Sequence, residues 1–145
     1  MKLEHVIQKK GSAVETISPD APVADLVARL AELNIGALVV SEDSRTVAGI
    51  VSERDVVRHL AAAGAAALDQ PVSTIMTPTV TCAPPTATTA DLMGLMTTSR
   101  VRHVPVLDED QVMLGIVSIG DVVKSRLGEL EDERNALVEY VNVGR

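Results

Sequence analysis

The heptapeptide Gly49-Ile50-Val51-Ser52-Glu53-Arg54-Asp55 occurs a second time in this chain, as Gly115-Ile116-Val117-Ser118-Ile119-Gly120-Asp121. Subtracting 49 from 115 gives an offset of 66 residues. The same offset, with no gap, aligns four further pairs: Pro19 with Pro85, Asp25 with Asp91, Leu26 with Leu92, and Val40 with Val106. The 145 residues therefore contain one unit repeated in tandem, and their number suits two half-size units that share a core.

Each copy of the heptapeptide predicts a strand, a turn and the start of a helix. Gly followed by two β-branched residues suits a buried strand, and the Ser marks the turn into a helix. The first N–H groups of such a helix have no intrahelical partner and favour an anion. A carboxylate one turn further in, Asp55 or Asp121, can accept two hydrogen bonds from a diol such as a ribose. A second interpretation is a capping box, in which the Ser and Asp of each copy satisfy only the helix's own donors.

The composition limits the partners of this chain. Hydrophobic residues make up 46% and aromatic residues 1%, the single aromatic being Tyr140, so the core must be aliphatic and Met-rich. Base stacking on aromatic side chains is not available, and a net charge of −7 argues against binding a nucleic-acid backbone. Cys82 has no partner for a disulfide, and the three scattered histidines lack zinc-ligand spacing. We interpret the methionines as gap-fillers of the core, in preference to a soft metal site. These methionines are Met76, Met93, Met96 and Met113.

The sequence gives no sign of a targeting or membrane-spanning segment. Residues 1–5 lack the apolar run of a secretory signal, and no stretch approaches the roughly 18 apolar residues of a membrane span. We therefore expect a cytoplasmic protein that binds neither membrane nor nucleic acid.

Hydrophobic periodicity predicts the elements of the first copy. A short leading helix covers residues 3–9 and stops at Gly11, and a later helix has Pro22 in its first turn and ends near residues 34–36. The other predicted elements are strands over residues 13–17, 37–40 and 47–51 and a closing helix over residues 55–63.

The second copy repeats this plan after a connector over residues 64–71 and one helical turn over residues 72–76. Its predicted elements are a strand over 79–82, a helix over 89–99, strands over 104–107 and 112–117, and a helix from Asp121. The predicted fold class is α/β (α+β), with tandem β-α-β-β-α repeats, a short N-terminal helix and a longer C-terminal helix. We divide the chain into repeat 1 with its leading helix at 1–66, repeat 2 at 67–127, and a C-terminal helical extension at 128–145.

The last helix is predicted to continue past Gly128, and it carries a stripe of apolar residues between charged ones. We predict that this stripe packs on the body of the protein or, in preference, on a second subunit of a homodimer, because an exposed stripe would promote association. The C-terminal stripe consists of Leu127, Leu130, Leu137, Val138 and Val141.

The motifs taken together resemble a known family. Each copy has an apolar-x-Pro pattern entering its first helix and G-h-h-S-x-x-D before its last helix, where h is apolar. The second copy also has Ser99-Arg100-Val101-Arg102-His103 ahead of Pro105-Val106. Over about residues 3–127 the chain resembles a pair of cystathionine-β-synthase (CBS) domains, also called a Bateman module. The resemblance implies two repeats related by pseudo-twofold symmetry, with two clefts between them that bind adenine nucleotides.

The resemblance also implies which residues line each cleft. The Asp of each heptapeptide holds the ribose hydroxyls, the Ser lies near the phosphate, and the segment that leads into the other repeat offers backbone groups to the adenine. In the first cleft the implied residues are Ser52, Arg54, Asp55, Met76, Pro78, Val80, Arg100, Arg102 and His103. In the second cleft they are Lys10, Ala13, Glu15, Ile35, Ser118 and Asp121.

The two clefts are predicted to differ in charge. Where the second copy has Arg100, Arg102 and His103, the first copy has no basic residue. Guanidinium groups match phosphate oxygens well, and the resemblance implies that this segment reaches a nucleotide held by the other repeat. We hypothesise that the Asp55 cleft is the better phosphate site, and that the Asp121 cleft is weaker or needs a basic group from a second subunit. The alternative is that these arginines are solvated surface residues, and that the arginine next to Asp55 forms an ion pair on the helix surface.

The resulting functional prediction is a regulatory module. It binds an adenine nucleotide, AMP in preference to ADP, ATP, NAD or S-adenosylmethionine, and signals by a conformational change to an unknown regulated protein. No catalytic triad, metal triad or phosphate loop is found in the sequence, so we expect neither an enzyme nor a catalytic cofactor. The alternative is a ligand-free module that dimerises or docks on a transporter or an enzyme.

Overall fold

The computed structural model describes residues 1–144, which form α-helices, short strands and two 3₁₀ helices. After α1 (Leu3–Lys10), the first repeat comprises β1 (Thr16–Ile17), α2 (Val23–Leu33), β2 (Ala37–Val40), β3 (Gly49–Ser52) and α3 (Glu53–Ala63). The 3₁₀ helices Gly64–Asp69 and Val72–Thr74 connect the repeats. The second repeat comprises α4 (Thr89–Ser99), β4 (His103–Leu107), β5 (Met113–Ser118) and α5 (Ile119–Val143). The predicted mixed α/β class is confirmed.

Each repeat contains one small sheet. In the first repeat the strand order is β1-β2-β3, with β1 parallel to β2 and β2 antiparallel to β3. In the second repeat β4 pairs with β5 in the antiparallel sense, and Pro105 lies opposite Ile116. The central strand β2 is buried along its whole length, which agrees with its uninterrupted apolar sequence.

The first strand of each predicted repeat is shorter than expected. Only Thr16–Ile17 of the predicted strand 13–17 is paired, and the strand predicted over residues 79–82 is wrong, because only Ala83 bridges to Val106. Thr77, just before the predicted strand, pairs with Ile50 of the opposite repeat. Residues 78–82 therefore cross from one sheet to the other, and the prolines at 78 and 84 offer no N–H to a ladder.

The two repeats exchange their leading segments. The core of the second repeat, built around Leu92 and Val104, includes Leu3, Val6 and Ile7 of α1. The core of the first repeat, built on the apolar face of α2, includes Val72 of the connector. The boundary at residue 66 stays a prediction. A segment from each side of it packs into the core of the other repeat, so the two repeats are packed together.

The last helix, α5, is continuous over 25 residues, or about 37 Å at 1.5 Å per residue. Its first turns pack against α4 and bury Val122, and the N-terminal ammonium group lies 2.7 Å from the Glu129 carboxylate. Beyond Gly128 the apolar side chains face solvent, and Leu137 is 66% exposed. Among residues 1–144, the alternative that the C-terminal stripe packs on the body is therefore wrong, and packing on a second subunit stays a prediction. None of the helices in this range combines the length and the hydropathy that crossing a membrane requires.

Candidate functional site

A cavity of about 600 Å³ lies between the two repeats, and we call it the first cleft. Its wall includes the β3–α3 junction of the first repeat, the segment before β4 of the second repeat, and the start of α5. Residues 77–81, which continue the connector into the second repeat, close one side. The lining residues are Gly36, Ala37, Ile50, Ser52, Glu53, Arg54, Asp55, Arg58, Thr77, Thr79, Val80, Thr81, Arg100, Val101, Arg102, His103, Ser118, Ile119 and Gly120.

Asp55 caps helix α3 and still faces the first cleft. Its Oδ2 atom accepts hydrogen bonds from the Ser52 N–H at 2.9 Å and from the Ser52 hydroxyl at 3.0 Å, and the Asp55 N–H donates to the Ser52 Oγ at 3.3 Å. The capping interpretation is therefore confirmed. Within residues 1–144, however, the side-chain hydrogen bonds of Asp55 all use Oδ2, so Oδ1 stays available as an acceptor. The two interpretations of the heptapeptide are compatible, because they use different oxygens of one carboxylate.

Ser52 makes its hydrogen bonds within the capping box, and its position near a phosphate stays a prediction. Its hydroxyl proton is directed to Asp55, and its oxygen already accepts one N–H. A hydroxyl group has one proton to donate, so Ser52 has none left for a phosphate oxygen. Its role in the first cleft is to fix the Asp55 carboxylate.

The first cleft is locally positive in a chain whose net charge is −7. Four arginines and two carboxylates line it, which leaves a formal charge of +2. Arg54 and Arg58 lie one turn apart on α3, whereas Arg100 and Arg102 come from the second repeat. Such a concentration of guanidinium groups is suited to binding an anion with several oxygens.

Arg100 reaches the cleft through an unusual backbone conformation. It ends α4 in the left-handed region with φ at 55°, and its offset counterpart Asn34 ends α2 in the same region with φ at 53°. Asn adopts this conformation more readily than Arg does. The second repeat therefore tolerates a less favourable residue at this turn, and that residue places a positive charge beside the cavity.

His103 completes the basic side of the first cleft. Burial lowers the pKa of its ring, the nearby positive charges of Lys10 and Arg102 lower it further, and Asp121 and Glu53 oppose this effect. The ring is therefore neutral at pH 7, with one N–H to donate. A Cβ atom built on Gly36 would lie 4.0 Å from its Cε1 atom, so the ring lies close to Gly36 of the first repeat.

The region around Asp121, where the second cleft is predicted, has a different arrangement. Ser118 and Asp121 form a capping box for α5, with Asp121 Oδ2 accepting the Ser118 N–H at 2.9 Å. The Lys10 ammonium group lies 2.5 Å from the same Oδ2 and also donates to the Ile116 carbonyl at 2.7 Å. Burial raises the pKa of Asp121, but the bonds from Lys10 and Ser118 outweigh it and hold this pKa below its ordinary value.

The structure brings most of the predicted first-cleft residues together. Seven of the nine line the cavity, whereas Met76 and Pro78 do not. Met76 packs instead against Gly49 beneath the cleft, and Pro78 is exposed. The seven are Ser52, Arg54, Asp55, Val80, Arg100, Arg102 and His103.

The predicted second-cleft residues are less well gathered. Lys10 and Asp121 are in contact, but Ser118 lies at the wall of the first cleft. Glu15 is bound at 2.7 Å by Arg29. Ala13 and Ile35 are exposed.

Sequence reasoning missed several lining residues for which a signal existed. Arg58 follows Arg54 at a spacing of four, which places both on one helix face. Ile119 and Gly120 are the offset counterparts of Glu53 and Arg54, so the same duplication that locates one helix start locates the other. In contrast, Thr81 lies in the predicted strand that does not form, where no pattern pointed to a cavity.

Comparison with known proteins identifies the class. The family model of the CBS domain matches residues 10–62 and again residues 72–128. The chain therefore belongs to the CBS-domain family and carries two copies of the domain, as the tandem motifs predicted.

Individual relatives agree with this assignment. The mitochondrial CBS domain-containing protein CBSX3 of Arabidopsis thaliana is 34% identical, with 98% of this chain and 72% of that protein covered. A CBS-domain-containing protein from Agrobacterium tumefaciens is 41% identical in sequence, and its crystal structure superposes on this chain with a TM-score of 0.82. The match covers 87% of this chain and 99% of the other. A CBS domain protein of Pyrobaculum aerophilum complexed with AMP has a TM-score of 0.73 at 23% identity, covering 83% and 89%.

Proposed function

We propose that this chain is a regulatory module that binds an adenine nucleotide in the first cleft, and that AMP is the preferred ligand. The observation that carries the proposal is the free Oδ1 of Asp55 in a cavity whose other wall presents arginines. A ribose diol donates hydrogen bonds and a phosphate accepts them, so one nucleotide satisfies both ends. A volume of about 600 Å³ falls within the range of small-molecule sites.

The remaining wall suits a base. Ile50 and Val80 offer apolar side chains, and Thr79 and Thr81 lie on the segment that has no strand pairing, so backbone groups there are free to bind the edge of a purine. No aromatic side chain is needed for this mode. The AMP bound to the Pyrobaculum aerophilum protein, which shares the fold, supports this class of ligand.

Binding in the first cleft would act on the angle between the repeats. The ligand would contact Asp55 of the first repeat and Arg102 of the second, whose segment is tied to α5 by the Ile119 N–H donating to the Arg102 carbonyl at 2.9 Å. The nucleotide shifts the population of module conformations by its difference in affinity for them, and a partner protein would detect the change.

Arg102→Ala tests the phosphate side of the site. We expect AMP to bind about 10-fold or more weakly, because one charge-assisted contact contributes about 1.5–3 kcal/mol before solvent screening at this exposed position. Adenosine, which has no phosphate, should bind the variant and the wild type equally. Isothermal titration calorimetry with both ligands makes the measurement.

Arg134→Ala is the matched control, because it removes the same charge from an exposed position of α5 that does not line the cavity. If Arg102→Ala and Arg134→Ala bind AMP equally well, the arginine is a solvated surface residue and the phosphate site is refuted.

We also propose that the C-terminal stripe is the interface of a homodimer. Leu137 and Val141 are 66% and 55% exposed, on a helix that extends beyond both repeats. Burial of this surface between two copies would remove an association liability. The same surface supports the second candidate function, a ligand-free docking module, if no adenine nucleotide binds the chain.

Leu137→Glu is expected to convert the dimer to a monomer, because a carboxylate would be buried in an apolar interface. Ala136→Glu introduces the same charge about 100° around the helix, away from the stripe, and should leave the dimer intact. Sedimentation equilibrium over a range of concentrations distinguishes these results. A monomer mass for the wild type at every concentration would contradict the proposal.

A further inference from the structure

Lys10 is the residue that distinguishes the second cleft from the first. We propose that its ammonium group, held beside the Asp121 carboxylate, hinders the approach of a ribose to that carboxylate, so that each chain has one open cleft and one cleft closed by its own side chain. The closed cleft would accept an adenosine-type ligand only when Lys10 moves away. This inference rests on the proposed function of the first cleft.

The tandem offset gives an internal comparison for these contacts. Lys10 binds Asp121 and the carbonyl of Ile116, which are the counterparts of Asp55 and Ile50. In the first repeat the Ile50 carbonyl accepts the Thr77 N–H at 2.8 Å, a backbone contact from the connector. The Lys10 ammonium group therefore binds a carbonyl whose counterpart in the first repeat accepts a backbone N–H.

The carboxylates of the two clefts differ correspondingly. Among residues 1–144, the carboxylate of Asp55 accepts hydrogen bonds from Ser52 alone, whereas that of Asp121 accepts those from Ser118 and also forms the ion pair with Lys10. The ammonium group bridges the Ile116 carbonyl of β5 and the Asp121 carboxylate in the first turn of α5. In our proposal, a ribose would approach the carboxylate beside this bridge. The ion pair uses Oδ2, the oxygen that also caps α5, so it does not occupy the Oδ1 acceptor. In our proposal the cation hinders a diol by neutralising the carboxylate and by lying beside it, whereas within residues 1–144 Asp55 is paired with no cation.

The residue at the counterpart of Lys10 is Met76, which has no charge and packs against Gly49. Lys10→Met therefore gives the second cleft the residue that the first cleft has at the counterpart position, and in our proposal it opens the second cleft. Lys10 is the last residue of α1, and its side chain is about one-third exposed, so replacement leaves the buried face of α1 in place.

The chemistry of the second cleft also indicates its ligand class. The counterparts of Arg100, Arg102 and His103 are Asn34, Gly36 and Ala37, so this cleft lacks the basic segment that lines the first cleft. Once Lys10 is removed, Asp121 can bind ribose hydroxyls, but no group replaces the phosphate clamp. The opened cleft should therefore bind adenosine and AMP with similar affinity.

Calorimetry with AMP and adenosine tests this inference. The wild type should bind one AMP per chain, and Asp55→Ala should lose this site, with an AMP affinity lower by about 100-fold or more. In the Asp55→Ala background, Lys10→Met should restore one site per chain whose dissociation constants for AMP and adenosine agree within about threefold. Lys10→Arg, which keeps the cation, and Lys9→Met, which removes a neighbouring lysine of α1, should restore nothing. Thermal unfolding of each variant verifies that it is folded.

The possible failures are distinguishable. If the wild type binds AMP but Asp55→Ala with Lys10→Met binds nothing, the Lys10 inference is overturned and the proposed function stands. If Asp55→Ala alone retains one site and Lys10→Met abolishes it, Lys10 is a ligand of the second cleft and the inference is equally overturned. Absence of binding by the wild type and by Lys10→Met overturns both proposals.

Discussion

Asp55→Ala is expected to weaken AMP binding by about 100-fold or more. In our proposal, Asp55 Oδ1 accepts hydrogen bonds from the ribose, and each hydrogen bond to a charged group contributes about 1.5–3 kcal/mol. Two such bonds amount to at least two factors of 10 in affinity. Titration calorimetry gives the dissociation constant, and a thermal shift with excess AMP gives an independent readout, because a ligand stabilises only the state that it binds.

The control for this prediction comes from a second capping box in the same chain. Thr88 and Asp91 cap α4 with the same pattern of contacts, and Asp91 Oδ2 accepts the Thr88 N–H at 3.0 Å. Asp91 does not line the first cleft. Asp55→Ala removes the N3 carboxylate of a capping box, and Asp91→Ala removes one of the same kind. Only Asp55→Ala should lose AMP; equal losses would show that helix capping is the whole role of the motif.

These two capping boxes also show what the sequence could and could not decide. The S-x-x-D pattern was compatible with capping and with ribose binding, and the sequence offered no way to choose. The structure removes the conflict, because the capping bonds use one oxygen of a carboxylate that lines a cavity and leave its other oxygen available. Which oxygen is used depends on three-dimensional geometry that no residue spacing specifies.

Local patterns predicted the helices well. The range 89–99 matches α4, and the helix ending near residues 34–36 ends at Leu33, with Asn34 in the left-handed conformation. Apolar periodicity fixes such elements because one face is buried over several turns. The strand predicted over 79–82 failed for the opposite reason, since its neighbour Thr77 pairs with the other repeat and no local signal reports that contact.

The asymmetry between the clefts was only half visible in the sequence. The offset made the extra basic residues of the second copy evident, because they align with uncharged residues. The contact of Lys10 with Asp121 spans 111 residues and lies outside any motif. A duplication reveals such a residue only after the structure has shown which acceptors it reaches.

Gly49→Ala is expected to destabilise the fold by about 1–3 kcal/mol and to weaken AMP binding as well. A Cβ atom at residue 49 would lie 2.6 Å from the Met76 sulfur and 2.9 Å from the Thr77 carbonyl oxygen. The sulfur can move, but the carbonyl cannot move freely, because it accepts the Ile50 N–H at 3.0 Å. The clash therefore loosens the pairing between the connector and β3, and Thr77 lines the first cleft.

Gly115→Ala is the matched control, because it adds the same methyl group at the counterpart position. The three atoms nearest to its new Cβ atom are side-chain atoms of Ile7, the first at 3.1 Å, and these can adjust. We expect it to cost less than Gly49→Ala in urea-induced unfolding and to leave AMP affinity unchanged. Combining Gly49→Ala with Met76→Ala should recover only part of the lost stability, since the contact with the Thr77 carbonyl remains. Full recovery of stability in this double variant would contradict our explanation, and so would equal stability of the two single glycine variants. That explanation is that the backbone pairing of Thr77 with Ile50 of β3 shapes the nucleotide site.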